Sequence, residues 1–172
     1  LSHQHIQDLS QFAVDVCDRR FGVGGDGLLT IERTEPSDAR MRMFNPDGSE
    51  DFCGNGLRCV VRYIVERWLG EGKSNTEIVV ETLAGSKKCI FCAVGPTITI
   101  DLGEPSFEPN VIPVLLDNLS TNGIQLQVLG ESYILHPVST GTTHSIIVVN
   151  ELPTDDLFSE VSPILEYGSV FP

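Results

Sequence analysis

The sequence predicts an α+β fold, with a mixed, curled and barrel-like sheet wrapped around a central helix. Three observations lead there: a few strand-like stretches come first, one long apolar helix pattern occupies residues 55–69, and a run of further strand patterns follows it. Strands gathered on either side of one helix argue for α+β organisation, because a βαβ fold would alternate them.

Residues 6–18 carry Ile6, Leu9, Ala13, Val16 and Cys17 at helical spacing, and the pattern stops at Asp18-Arg19-Arg20. Leu28–Glu32 reads as a strand, and Arg40–Phe44 alternates strictly, as a strand with one buried face does. Asn45-Pro46-Asp47-Gly48-Ser49 is turn chemistry. In the helix of residues 55–69, Leu57, Val60, Val61, Ile64, Val65, Trp68 and Leu69 recur at i, i+3, i+4 and i+7. Arg58, Arg62 and Glu66 share another face, and Gly70 is placed to end the helix. Strands are predicted over residues 78–82, 88–93, 97–102, 124–128, 133–138 and 145–149. The last contains the unbroken apolar run Ile146–Val149, expected to be buried on both faces. Residues 103–123, with three prolines, read as a connecting loop inside one domain, and a closing helix fits residues 154–167 behind Thr154-Asp155-Asp156.

The chain has 172 residues, 11 of them basic and 24 acidic, for a formal charge of −13. A phosphate backbone would be repelled, so nucleic acid is excluded as a partner. No apolar run approaches the roughly 20 residues of a membrane-spanning helix, so no membrane partner is expected. Five cysteines, an odd number without disulfide-scaffold spacing, point to a reducing, cytoplasmic setting. The opening Leu1-Ser2-His3-Gln4-His5 leads to the expectation that the natural chain begins earlier.

Chemistry concentrates in Asn45-Pro46-Asp47-Gly48-Ser49-Glu50-Asp51-Phe52-Cys53-Gly54-Asn55-Gly56, which sets a cysteine immediately before the long helix. A helix start offers unpaired N–H groups and a partial positive charge, both of which favour an anion. The same donors could bind a substrate carboxylate, and glycines on both sides of Asn55 let it approach. An isolated cysteine there would more often be a small hydrophobe filling a corner, with Gly54-Asn55-Gly56 a tight turn. The neighbouring segments change that balance.

Asp18-Arg19-Arg20-Phe21-Gly22-Val23-Gly24-Gly25-Asp26-Gly27, then Phe44–Glu50, then Cys53-Gly54-Asn55-Gly56-Leu57-Arg58-Cys59 resemble diaminopimelate epimerases in sequence and order. Thr82-Leu83-Ala84-Gly85 and Gly141-Thr142-Thr143-His144 continue the match. The resemblance implies a metal-free, cofactor-free inversion at an amino-acid α-carbon, interconverting LL- and meso-diaminopimelate for lysine and peptidoglycan precursor synthesis. One cysteine thiolate takes the α-proton from one face, and a second thiol protonates the other. Cys53 matches the first thiol; Asn45, Gly54 and Asn55 match substrate-binding positions; His144 matches a histidine that tunes a catalytic thiol. Thr142 stands where an asparagine commonly touches substrate, and Gly27 where a glutamine does. The resemblance further implies that residues 1–172 are the N-terminal domain, one half of a pseudo-symmetric two-domain fold, with the extreme N-terminus and the second thiol lying outside this chain. A small amino acid is the implied partner, and a homodimer stays open.

Other readings remain beside this one. The same fold could invert another amino or carboxylic acid, Cys53 and His144 could form a hydrolase pair, or a truncated domain could bind without catalysing. Gly22-x-Gly24-x-x-Gly27 matches the dinucleotide fingerprint in spelling only, since helix precedes strand here where the motif needs strand then helix. It reads better as a turn at the edge of the active site. Cys89-x-x-Cys92 has no second ligand pair and reads as structural thiols. His136 reads as structural, and Arg58 and Arg62 as helix-surface pairing residues.

Overall fold

The computed structural model describes residues 6–70, 75–95, 97–112, 114–115, 123–168 and 170–171. The chain forms two compact units, Leu1–Leu102 and Gly103–Pro172. The proline-bearing stretch that reads as an internal loop thus begins at a division between units. His3, His5 and several residues of that stretch lie outside the described residues.

The first unit holds helix α1 (Leu9–Cys17), strands β1 (Leu28–Glu32), β2 (Ala39–Phe44) and β3 (Glu50–Asp51), helix α2 (Gly54–Tyr63), and strands β4 (Thr76–Thr82), β5 (Gly85–Cys92) and β6 (Thr97–Ile100). Its sheet runs β1-β2-β4-β5-β6, with β3 paired to β2. Among the described residues only the β2–β4 pairing is parallel, Ala39 facing Val80, so the sheet is mixed as expected. Helix α2 touches β1 and β2 towards one end of this path and β5 and β6 at the other. The helix thus packs along the sheet from one end of the strand order to the other. Among the described residues the sheet does not close into a barrel, because β1 and β6 are not paired to each other.

Leu57, Val60, Val61, Ile64 and Val65 bury the inner face of the long helix against Ala39, Met41, Ile78, Val80, Cys89 and Phe91. The helix continues beyond Tyr63 as a π-helical segment, Ile64–Leu69, and stops at Gly70 with φ of 81°. Only a residue tolerant of positive φ serves there, which the placement of Gly70 anticipates. Alternation in β2 puts Ala39 and Met41 inward and Arg40 outward, yet Phe44 is also buried. Phe44 lies on the face opposite Met43, outside the core that packs against the long helix.

The glycine stretch after α1 is a helix terminator. The amides of Val23 and Gly24 both donate to the Val16 carbonyl, at 2.7 and 3.1 Å, and Gly24 has φ of 82°. A Cβ on Gly22 would sit 2.3 Å from the Asp15 carbonyl oxygen and 2.6 Å from that of Val16, so no other residue fits without moving main chain.

The second unit contains an antiparallel sheet of β7 (Ile124–Val128), β8 (Glu131–Ser139) and β9 (Thr143–Ile146), with helix α3 (Asp155–Glu166). Thr154 caps α3, its hydroxyl oxygen accepting from the Leu157 amide at 3.3 Å. Ile112, Val114, Ile124, Val128, Leu135, Val161, Leu165 and Val170 form a separate core. The expectation of a doubly buried strand over residues 145–149 is overturned here. The strand begins two residues earlier and ends at Ile146, and Val148 is 81% exposed. An apolar run reports only that its residues could be covered, and here Ile147 alone packs against the core while Ile146, Val148 and Val149 face outward.

Candidate active site

Strands β2 and β3 form a hairpin whose turn is Asn45–Ser49. The Asn45 amide donates to the Ser49 carbonyl at 2.8 Å, and Gly48 returns a bond to the Asn45 carbonyl at 2.9 Å. Gly48 makes the bend possible at φ of 84°. It is also where Ser10 of α1 donates from its hydroxyl to the Gly48 carbonyl, at 2.6 Å. Asn45 is half-buried, its side-chain NH2 donating to the Ser49 hydroxyl at 3.1 Å. Asp47 accepts from the Ser49 hydroxyl and amide, which lowers its carboxyl below the usual value.

From this hairpin the chain passes through buried Phe52 into Cys53, the N-cap of α2. Cys53 has extended backbone angles, φ −130° and ψ 107°, and its sulfur accepts from the Gly56 amide at 3.2 Å. The half-buried thiol therefore points back over the first helical turn, where a Ser or Asp oxygen usually sits. Helix geometry leaves the amides of Gly54 and Asn55 without intrahelical acceptors beside it. Gly56 is buried because β1 passes close: a Cβ there would lie 2.9 Å from Leu29 Cδ2 and 3.4 Å from the Cys53 Cβ. Asn55 is exposed, its Oδ1 accepting from Arg58 Nη1 at 2.6 Å, while Arg62 pairs with Glu66 one turn further on. Sequence reasoning missed Leu29 and Leu102, which close in on Gly56 and Gly54 from β1 and from beyond β6, and no local pattern announces either.

Cys53, Gly54 and Asn55 thus stand together at one helix start, and Asn45 sits at the turn of the hairpin that leads into it. Gly27, just before β1, has room for no side chain without disturbing its neighbours, since a Cβ would meet the Phe44 carbonyl oxygen at 3.0 Å. Thr142 and His144 belong to the second unit. Thr142 is half-buried in the turn joining β8 to β9, and His144 lies exposed on β9 opposite Val138. His144 and Thr143 border a largely apolar cleft of about 890 Å³ that Tyr133, Leu152, Phe158 and Leu165 also line. Cys89 and Cys92 fall on opposite faces of β5, Cys89 in the core and Cys92 half-buried, an arrangement that suits structural thiols.

Two solved structures share this architecture. A PhzF-family phenazine biosynthesis protein from Bacillus anthracis superposes with a TM-score of 0.52 at 23% identity, over 92% of this chain and 54% of that one. A hydroxyproline epimerase from Agrobacterium vitis gives 0.50 at 21% identity, over 70% of this chain and 33% of that one. These likenesses define the class: the fold is that of epimerase- and PhzF-like proteins. Sequence narrows it further. The family model described as diaminopimelate epimerase matches residues 2–108, and the chain belongs to that family. Diaminopimelate epimerases from Carboxydothermus hydrogenoformans and Desulfitobacterium hafniense are 38% and 37% identical to it, over 96% and 97% of this chain. The chain spans about 59% of the length of these curated relatives.

Proposed function

We propose that the complete protein is a cofactor-independent, two-thiol epimerase that interconverts LL- and meso-diaminopimelate, with Cys53 as one of its thiols. The observation that carries this reading is the Cys53 sulfur standing at the start of α2 among backbone donors. Inversion needs proton traffic on both faces of the α-carbon. The Cys53 thiolate would take the α-proton from one face, the electron pair staying on the carbanionic substrate, and a thiol on the other face would return a proton. The amides of Gly54 and Asn55, with Asn45, would hold the substrate carboxylate, and His144 would tune a thiol.

The partner thiol is proposed to lie outside these 172 residues. Cys17 and Cys89 are buried in packing, Cys92 sits at the end of β5 with its thiol donating to the Val94 carbonyl at 3.3 Å, and Cys59 is exposed on α2 almost two turns beyond Cys53. The relatives' greater length and the open apolar surface of the second unit both support further chain in the working enzyme. On this reading residues 1–172 belong to the N-terminal part of a pseudo-symmetric two-domain protein, and alone do not turn over substrate. Among the described residues no helix is long and apolar enough to cross a membrane. A cytoplasmic enzyme acting on a small amino acid, with homodimerisation open to test, completes the proposal.

A second reading is favoured by Thr142, which replaces the expected asparagine in the β8–β9 turn: the same chemistry on another amino or carboxylic acid. Both readings are tested with the full-length protein in deuterated water against LL-diaminopimelate and a panel of other amino acids. Deuterium uptake at the α-carbon of diaminopimelate, abolished in Cys53→Ser, is expected. Uptake confined to another acid selects the second reading, and turnover that survives Cys53→Ser removes Cys53 from both.

A further inference from the structure

Arg58 stands one turn after Asn55 and donates from Nη1 to its Oδ1 at 2.6 Å. A guanidinium carries donors only, so the amide atom facing it must be the carbonyl oxygen. That contact fixes the otherwise ambiguous orientation of the amide and leaves its NH2 turned away from Arg58. The neighbouring cation of the helix, Arg62, is engaged with Glu66, while among the described residues no carboxylate forms an ion pair with Arg58. Among the described residues its polar contact is with a residue of the helix start.

The geometry points to Arg58 as a positioning residue for carboxylate recognition: by holding Asn55 Oδ1 it leaves the amide NH2, a donor, as the end free to meet a carboxylate. This rests on the reading of Cys53, Gly54 and Asn55 as the substrate site. A freely rotating amide would present its oxygen part of the time, and oxygen facing a carboxylate repels it. Arg58 removes that state before substrate arrives. The benefit is preorganisation, and ordering one such side chain on binding is worth roughly three- to tenfold in affinity. Because the reacting atoms are untouched, the effect falls on KM.

The test uses the full-length protein and diaminopimelate, with α-proton exchange as the rate and thermal unfolding as the fold control. Arg58→Ala is expected to raise KM roughly three- to tenfold with kcat nearly unchanged. Arg58→Lys, which keeps a donor-only cation, is expected to recover part of the loss. In an Asn55→Ala background, Arg58→Ala should add nothing to KM, since the residue through which it acts is gone. An Arg58→Ala effect of equal size in that background overturns the proposal in favour of direct charge attraction. A fall in the unfolding midpoint with KM unchanged overturns it in favour of a helix-stabilising pair. A KM indifferent to Asn55→Ala also overturns it, because the backbone N–H of residue 55 survives that change; the underlying reading fails by a different result, turnover by Cys53→Ser.

Discussion

The Cys53 sulfur accepts a hydrogen bond from the Gly56 amide at 3.2 Å, so the residue proposed for proton transfer also caps the helix that presents it. The two roles can be separated by substitution. Serine keeps an acceptor at the cap but is a far weaker base, whereas alanine removes both. Cys53→Ser is expected to unfold in denaturant within about 0.5 kcal/mol of the wild type, and Cys53→Ala about 0.5–2 kcal/mol earlier, the usual loss for a missing cap. Both should lack turnover in the full-length enzyme. Equal stability of the two variants would show that the sulfur contact contributes nothing to the helix.

What could be read from the residues, and what could not, divides along physical lines. The long helix was legible because Leu57, Val60, Val61, Ile64 and Val65 all face one core. Strand β7 matches its predicted bounds because Ile124, Leu126 and Val128 alternate and the chain then turns through Leu129 and Gly130, both at positive φ. Of the candidate site, the cap is legible because it is local: Cys53, Gly54 and Asn55 are consecutive, and a cap is a property of consecutive residues. The widening to a π-helix after Tyr63 was not, since the same apolar spacing suits either helix. Residues 146–149 misled because periodicity records apolarity and says nothing of what lies opposite. The sequence places Arg58 among helix-surface pairing residues, and it does pair there, but which neighbour it meets depends on side-chain directions that sequence does not carry.

The glycine loop supplies a second test. Its spelling suggests a dinucleotide site, while its geometry makes it the end of α1. Gly22→Ala would force a Cβ to within 2.3 Å of the Asp15 carbonyl oxygen, an atom that cannot move without disturbing the helix. A loss of about 2 kcal/mol or more is expected in chemical denaturation, because backbone displacement is among the few causes of large single-site effects. Gly56→Ala meets the tip of the Leu29 side chain instead, at 2.9 Å. That tip can turn aside and alanine favours helix, so this variant should stay within about 1 kcal/mol of the wild type. A reversed order would contradict the account of both glycines.

Arg42 and Glu50 join the two strands of the hairpin below Asn45 by a two-pronged pair, Nε to Oε1 at 2.9 Å and Nη2 to Oε2 at 2.8 Å. The Arg42 hydrogen bonds hold the Glu50 carboxyl below its ordinary value, and Arg42 is correspondingly raised. A carboxyl depressed on folding contributes stability that is present above its unfolded value, about 4.3, and is lost as pH falls through the folded value. Wild type should therefore lose stability below about pH 4.3 more steeply than Glu50→Gln, the two curves converging in strong acid. The pair is partly exposed, so solvent screening limits the difference at neutral pH to about 1 kcal/mol at most. Asp18 and Asp47, depressed by bonds from the Phe21 amide and the Ser49 hydroxyl, add the same slope to both proteins and cancel in the comparison. Parallel curves across that range would mean that Glu50 does not titrate with folding.

Thiol reactivity should sort the cysteines by position. Burial pushes the Cys89 thiol up to about 11, so at pH 8 roughly one molecule in a thousand carries the thiolate that alkylation requires. Cys17 is buried as well, Cys59 is exposed, and Cys53 is half-buried at the mouth of its helix. In the folded full-length protein, iodoacetamide followed by peptide mapping is expected to label Cys53 and Cys59 and to spare Cys17 and Cys89 until denaturant is added. A non-reacting substrate analogue should then slow labelling at Cys53 and leave Cys59 unaffected, since only Cys53 adjoins the donors proposed to hold the carboxylate. Equal protection of both thiols would indicate a general tightening of the protein. Labelling of Cys53 indifferent to the analogue would place the ligand elsewhere.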